Sequence, residues 1–221
     1  MITNALKTLA SIIFIFLLAG CANQTNGPEN EQKNSTGHST LDEATVYINL
    51  NDSVKNALIK KGNIIAQKSG LSLQKALKEA INEGGLEYAI EFCNIEALPI
   101  TDSVSHAESV IIRRVAKKYR NPLNQTDSVD IEIYNSYMQD WQNGKPSMPM
   151  IKADENNHPV YYNPIYVGAL CLNCHGEVGT NINPGLAGKI KELYPEDMAT
   201  DFKLDQLRGM WAITFYDIEV K

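Results

Sequence analysis

Apolar residues recur at helical spacing along the first half of the chain, from about residue 50 onwards. Asn51 or Asp52 is placed to cap a first helix, which Gly70 is expected to end. Ser72 is placed to cap a second helix, and the pair Gly84-Gly85 is expected to break it. The pattern therefore predicts an N-terminal helical segment made of successive short helices.

A third helix is predicted directly after this break. Leu86, Ala89, Ile90 and Cys93 follow an i, i+3, i+4, i+7 series, which is the spacing of one helical face. Pro99 is expected to stop this helix or to begin the loop after it. Cys93 therefore faces the interior.

The second half alternates between strand-like and helical patterns. A strand rich in β-branched residues is predicted over 109–116, and Asp127 is placed to cap a helix that closes at Gly144. Further elements are predicted as a loop over 146–157, a strand over 159–167, a short helix over 186–193 and a strand over 210–220. Helices first, then strands interrupted by helices, indicate an α+β domain with an antiparallel sheet.

The N-terminus has the pattern of an export signal. Lys7 precedes an apolar run from Leu9 to Leu18, which is shorter than the roughly 20 residues that a membrane-spanning helix needs. The sequence from Leu18 to Cys21 resembles the lipobox of bacterial lipoproteins, in which the signal is cut before the cysteine. Residues 1–21 are therefore predicted to be a lipoprotein signal, with Cys21 bearing lipid. The alternative is an ordinary secretory signal in which Cys21 has no role.

The stretch that follows is polar. Residues 22–40 contain no β-branched aliphatic or aromatic side chain, so they cannot bury enough apolar surface to offset chain entropy. We expect a flexible tether over 22–43 and one domain over 44–221. The chain has a net charge of −6 at pH 7 and no Lys/Arg-rich run, so nucleic acid is not an expected partner.

The clearest chemical signal is Cys171-Leu-Asn-Cys174-His175, a Cys-x-x-Cys-His motif. This is the attachment signature of c-type haem. Cys171 and Cys174 can add to the two vinyl groups of one porphyrin edge, and His175 can then bind the iron as the proximal ligand. One covalent haem is predicted, since the motif occurs once.

Three other interpretations of this motif are a zinc half-site, a thioredoxin-like redox pair and a disulfide across a tight turn. Zinc needs about four ligands, and the sequence offers no second Cys-x-x-Cys or Cys/His cluster. A redox pair needs no histidine directly after its second cysteine. Haem explains all five positions of the motif.

Of the four cysteines, Cys93 is the one to which neither lipid nor the haem motif assigns a role. An unpaired thiol in an oxidising compartment calls for burial or ligation. Cys93 is therefore a candidate sixth ligand of the iron, although buried cysteines are often only small hydrophobes. The other candidates for the sixth position are His106, His158, one of several methionines, or none.

Arg113 and Arg114 are adjacent charges on the predicted strand over 109–116, so they point to opposite faces. One of them could approach the haem propionates while the other meets water. Either could equally be a solvated arginine, and that interpretation is favoured for each of them.

From about residue 52 to 220 the chain resembles a family of single-haem c-type proteins with a PAS-like fold. The landmarks are Cys93 after an Ala/Ile-rich helix, then 120–124, 171–176, 194–199 and Arg208-Gly209. The resemblance implies an antiparallel sheet flanked by helices, with covalent haem beside it. It also implies thiolate and imidazole as axial ligands, which map onto Cys93 and His175.

The chain departs from this family at Asp201 and Asp205, where the family tends to have glycine. The departure puts the conformation of the turn before Arg208 in question.

Three classes of function remain open. The first is a lipid-anchored haem protein that carries an electron, or senses redox state or a gas, with an unidentified protein partner. The second is a peroxidase-type enzyme, which needs an open distal site that a cysteine ligand would fill. The third is a structural lipoprotein without haem. The first is preferred, with the protein exported to the periplasmic or cell-surface side and anchored by lipid to a bacterial membrane.

Overall fold

A four-stranded antiparallel sheet organises the domain in the computed structural model, which describes residues 46–48 and 50–220. Its strand order is β2-β5-β4-β3, and a separate parallel pair joins β1 to β6. The strands are β1 (Val46–Ile48), β2 (Ile111–Val115), β3 (Met150–Ala153), β4 (Pro159–Tyr166), β5 (Leu207–Thr214) and β6 (Ile218–Val220). The helices are α1 (Asp52–Glu108), α2 (Ser128–Gln142), α3 (Ala169–His175) and α4 (Pro184–Leu193), with a 3-10 turn at Pro122–Asn124. The predicted α+β fold, an antiparallel sheet flanked by helices, is confirmed.

The predictions for the signal over 1–21, for Cys21 and for the tether over 22–43 lie outside the described residues. Within the described residues, no helix combines the length and hydrophobicity that crossing a membrane requires.

Helix α1 is longer than the sequence predicted. Its start is as expected, because the Asn51 side chain accepts a hydrogen bond from the amide of Val54 at 3.1 Å. The predicted end at Gly70, and with it the cap at Ser72, is wrong, and so is the end at Pro99, since the helix continues to Glu108. Burial of residues before and after these positions outweighs their poor helix propensity.

The break at Gly84-Gly85 is confirmed. Gly85 has φ 75° and ψ −167°, a conformation open almost only to glycine, and it kinks α1 into two helical segments.

The sheet buries both faces. On one face α1 contributes to a core with β4 and β5, formed by residues that include Leu58, Ile65, Val104, Tyr161, Trp211, Ile213 and Phe215. On the other face Ile133 and Tyr137 of α2 cover residues from β2, β4 and β5, including Val115, Tyr162, Met210 and Ala212. The alternation of Tyr161 with Tyr162 and of Ala212 with Ile213 follows the two-residue period of a strand.

Asp127 caps α2, as predicted. Its side chain accepts from the amide of Asp130 at 2.7 Å, and the Asp130 carboxylate accepts from the amide of Asp127 at 3.2 Å, which is a reciprocal capping box.

Two strand assignments are corrected. The predicted loop over 146–157 contains β3, an edge strand paired with β4 from Met150↔Tyr162 to Ala153↔Pro159. The predicted strand over 210–220 is divided by a turn into β5 and β6. At that turn the amide of Phe215 donates to the carbonyl of Pro159, and the amide of Ile218 donates to the carbonyl of Phe215.

Strands β4 and β5 are neighbours in the sheet, but a long segment separates them in the chain. This segment, residues 167–206, carries α3 and α4 and is called the excursion below. Its base is closed by two hydrogen bonds, from the amide of Val167 to Gln206 O and from the amide of Asp205 to Val167 O, both 2.9 Å. The sheet therefore fixes both ends of the segment that carries the Cys-x-x-Cys-His motif.

Candidate functional site

A cavity of about 250 Å³ lies between α1 and the excursion. Cys93, Cys171, Cys174 and His175 all line it, so the structure brings together four of the five predicted site residues. The rest of its wall is mainly apolar, with Leu73, Leu77, Ile81, Leu86, Ala89, Ile90, Ala97, Leu98 and Leu170. Such a wall suits a flat apolar cofactor that is held by a few polar contacts.

Helix α3 supplies the three residues of the motif. It begins after Gly168, and the amide of Cys171 donates to Gly168 O at 3.0 Å. A helical turn places residues three and four positions apart on one face, so Cys171, Cys174 and His175 can share the cavity wall. All of the cysteines in the described residues, Cys93, Cys171 and Cys174, are free thiols and partly buried.

The imidazole of His175 is held by a single hydrogen bond to the backbone. Its Nδ1 lies 2.7 Å from Ala199 O, and since a carbonyl oxygen only accepts, Nδ1 must carry the proton and donate it. Burial lowers the pKa of His175 well below its usual value, and the charges of Arg208 and Arg120 lower it further. His175 is therefore a neutral imidazole whose Nε2 keeps its lone pair, which is the form that ligates metals.

Residues 197–202, called the strap below, hold the end of α3. The amide of Asp201 donates to Gly176 O at 2.9 Å, and the amide of Phe202 donates to His175 O at 3.0 Å. The Phe202 ring also packs edge-on against His175, with centroids 6.4 Å apart. The strap thus contacts both the side chain and the backbone of the histidine.

Asp201 and Asp205, with φ of 62° and 61°, are the two departures from the resembled family. This is the left-handed region that glycine adopts at no cost and that Asp tolerates better than most residues. The substitution of aspartate for glycine therefore leaves the turn conformation in place.

Arg120 joins the strap to the motif. Its guanidinium donates to both oxygens of Asp197 at 3.1 Å, to Cys174 O at 2.7 Å and to Ala199 O at 3.2 Å. Both side chains of the pair are buried, at 8% and 5% exposure. Ala199 O therefore accepts from Arg120 and from His175 together, so one buried ion pair fixes the carbonyl that orients the imidazole.

Cys93 reaches the cavity from the part of α1 that follows the kink at Gly85. Burial raises the pKa of its thiol, and the charges of Arg114 and Arg120 oppose that rise. Burial also raises the pKa of Cys174. Cys93 thus lines the same cavity as the motif. Its place in the interior is as the helical spacing predicted.

The other candidate ligands lie elsewhere. His106 Nδ1 is 2.8 Å from Asp102 O at the exposed end of α1, and His158 Nδ1 is 3.4 Å from the Asp154 carboxylate. Met148 is 68% exposed, and Met150 packs beside α2. None of these four residues lines the cavity.

Arg113 and Arg114 do point to opposite faces of the sheet. Arg113 makes two hydrogen bonds, of 2.8 and 3.1 Å, to the fully buried carboxylate of Asp130, so it is more than a solvated arginine. Arg114 lines the cavity together with Arg120 and Arg208. Arg114 and Arg208 are half-buried, whereas Arg120 is buried.

Comparisons with known proteins identify the family of this chain. Residues 32–215 match the Tll0287-like family, which is more than half of the chain. The chain belongs to the Tll0287-like family. The crystal structure of the cyanobacterial haem protein Tll0287 is similar over 76% of this chain and 97% of that chain, with 23% identity and a TM-score of 0.51. That similarity confirms the fold. No curated protein matches the chain.

Membership of the Tll0287-like family confirms the resemblance drawn from Cys93, 120–124, 171–176, 194–199 and Arg208-Gly209. The structure adds a physical reason for these landmarks, because the cavity wall or the strap contains residues from each of them.

A zinc site is less well supported than a haem site in this member of the Tll0287-like family. Among residues 50–220, no three His, Cys, Asp or Glu side chains are close enough together to hold a bare metal ion.

Sequence reasoning missed two groups at this site. The carbonyl of Ala199 has no side-chain signal, because a backbone acceptor is present at every residue. Arg208 was known only as a family landmark, and its place in the wall depends on a β-bulge. The pairing of Ile165 with Gly209 and of Tyr166 with Leu207 leaves Arg208 as the extra residue.

Proposed function

We propose that the chain is an exported lipoprotein that binds one haem c covalently and acts in electron transfer or in redox or gas sensing. Cys171 and Cys174 would carry the thioether bonds. His175 would be the proximal iron ligand and Cys93 the distal one. Cys21 would carry the lipid, and a redox or signalling protein would be the partner.

The observation that carries this proposal is the meeting of Cys93 with Cys171, Cys174 and His175 at one largely apolar cavity. The three residues of the motif come from α3, and Cys93 comes from a helix far away in the sequence. The neutral His175, with Nδ1 held by Ala199 O, fits the requirement for a ligating imidazole. The relative Tll0287, described as a haem protein, supports the same choice of cofactor.

Bound haem would supply reversible one-electron chemistry, and the chain's own residues would set its conditions. A thiolate at Cys93 donates electron density and favours the ferric state, whereas a methionine ligand would raise the potential. The apolar wall excludes water, and the strap holds the imidazole in one orientation. A low-potential centre is the expected result.

Electron transfer or sensing fits this site better than peroxidase chemistry. A peroxidase needs an open coordination position, and Cys93 as the distal ligand would fill that position. The alternative of a structural lipoprotein without haem is separated from both by direct measurement of the cofactor.

The test is expression of the full chain in a bacterium that has haem-attachment machinery. Wild-type protein is expected to gain the mass of one haem and to show a Soret band. Cys171→Ala with Cys174→Ala should abolish covalent haem and destabilise the domain, because the cavity would lose its filling.

Cys93→Ala is the matched control, since it removes a cavity thiol but leaves both attachment sites. It should retain the mass of one haem. Wild-type protein without a Soret band or added mass would refute the proposal.

A further inference from the structure

Two arginines in the cavity wall have no anionic partner. Of the three that line it, Arg120 is paired with Asp197. Arg208 donates from Nη1 to Lys118 O at 2.8 Å, a neutral acceptor, and its Nε is buried without a partner. The Nε of Arg114 is also buried without a partner. Among the described residues, neither Arg114 nor Arg208 forms a salt bridge.

Two half-buried guanidinium groups, each with a buried Nε that has no hydrogen-bond partner, are unfavourable unless an anion accompanies them. Removing an ion from water costs free energy, and a charge without an ion-pair partner recovers none of it. Burial lowers the pKa of Arg114, and it lowers that of Arg208 to about 10. A guanidinium group stays protonated in proteins at neutral pH, so both side chains carry a positive charge. The cavity therefore presents two positive charges to whatever occupies it.

A β-bulge in β5 places Arg208 in the cavity wall. Arg208 is the extra residue of the bulge in β5, and bulges redirect side chains. Gly209 follows it, where a Cβ atom would lie 2.6 Å from Val115 O, so only glycine allows β5 this close to β2. A strand that kept its regular alternation would not aim Arg208 into the wall.

We propose that Arg114 and Arg208 form a carboxylate-binding pair that receives the two propionate groups of the haem. Guanidinium binds carboxylate through two parallel hydrogen bonds, so each of these arginines, which lack an anionic partner, suits one propionate. The charges also match, with two cations for two carboxylates. This inference rests on the proposed function, because it needs haem in the cavity.

The competing assignment is that Arg114 stabilises a thiolate at Cys93. The charge of Arg114 lowers the pKa of Cys93, and Cys93 in turn raises the pKa of Arg114. A thiolate can neutralise only one arginine. It would leave Arg208 unpaired, which is why the carboxylate pair is preferred.

The test uses infrared difference spectra of the haem protein, with ¹³C in the propionate carboxylates of the haem. Arg114→Met and Arg208→Met should each shift the labelled carboxylate bands, and the double variant should shift them most. Lys152→Met, which removes an exposed positive charge on β3, should leave the bands unchanged. Arg114→Lys and Arg208→Lys keep the positive charge but lose the planar guanidinium that makes two parallel hydrogen bonds, so they should give smaller shifts. These lysine variants replace any methionine variant that fails to fold.

Covalent attachment separates this inference from the proposed function. Because Cys171 and Cys174 hold the haem, all of these variants should keep its mass. Labelled bands that stay unchanged in haem-loaded arginine variants would overturn the carboxylate pair alone. A change of iron ligation in Arg114→Met without any carboxylate shift would also overturn it, in favour of the thiolate. Absence of haem from wild-type protein would instead refute the proposed function.

Discussion

Cys93 is the residue on which the redox character of the proposed site depends. Among the described residues, Cys93 is the one cavity-lining residue outside the Cys-x-x-Cys-His motif that carries sulfur, and replacing it with alanine removes that sulfur. We expect the ferric spectrum of Cys93→Ala to change from low spin to high spin or to the spectrum of a new ligand. The reduction potential should rise, because an electron-donating thiolate is lost.

Leu98→Ala is the matched control for this change, since it also removes volume from the cavity wall but no ligand. It should keep the low-spin spectrum. An unchanged spectrum and potential in Cys93→Ala would show that Cys93 is only a small hydrophobe in the core.

Arg120 and Asp197 are the residues that hold the strap. Arg120→Met should lower the free energy of unfolding by about 3–5 kcal/mol, because it leaves the buried Asp197 carboxylate without its partner. Ala199 O accepts from both Arg120 and His175, and in this variant it would keep only the hydrogen bond from His175. Denaturant unfolding of the haem-loaded protein measures the loss.

The double variant Arg120→Met with Asp197→Asn is the informative comparison. Because it leaves no unpaired charge, its loss should be clearly smaller than the sum of the two single losses. Additive losses would mean that the pair does not act as a unit.

At the scale of elements, the kink of α1 places Cys93. Gly85→Ala forces a side chain into a conformation that costs about 1–3 kcal/mol, although the added methyl group would have open space around it. We expect reduced stability, measured by thermal unfolding, and weaker low-spin character if Cys93 shifts.

Gly188→Ala is the control, because its added methyl group would also have open space and α4 has ordinary helical backbone there. It should stabilise the protein by about 0.5–1 kcal/mol. Equal effects on stability at the two glycines would show that the backbone conformation at Gly85 does not require glycine.

The sequence predicted elements whose signals are local. The cap at Asp127, the break at Gly84-Gly85 and the placement of Cys93 on an apolar face all depend on residues within one or two turns. The course of α1 through Gly70 and Pro99 could not be predicted this way, because distant packing decides it. Thr101 and Val104, which follow Pro99, are buried, and their burial keeps the helix intact beyond the proline.

At the candidate site, too, only features with a signal in residue type could be predicted. Cys171, Cys174, His175 and Cys93 carry their chemistry in their side chains, so sequence reasoning could select them. The hydrogen bond from His175 to Ala199 O and the bulge at Arg208 depend on strand register and on backbone atoms. Neither has a signature in residue type.

At the scale of the whole molecule, attachment to the membrane is expected to depend on one atom. Cys21→Ser should move the protein from the membrane fraction to the soluble fraction, because the tether over 22–43 has no apolar segment to hold it. Fractionation with immunodetection measures this. The variant with Cys171→Ala and Cys174→Ala keeps Cys21 and should stay with the membrane. Retention of Cys21→Ser would point to an uncut signal or a docking partner.

The closure of the excursion at its base has a consequence for the order of assembly. Val167 and Asp205 hold the two ends of the excursion together beside strands that already pair with each other. The cysteines of α3 therefore lie on a segment that can open locally while the sheet stays paired. An attachment enzyme could reach both thiols on a partly folded chain, and the closing of the strap over His175 would then be the last step of maturation.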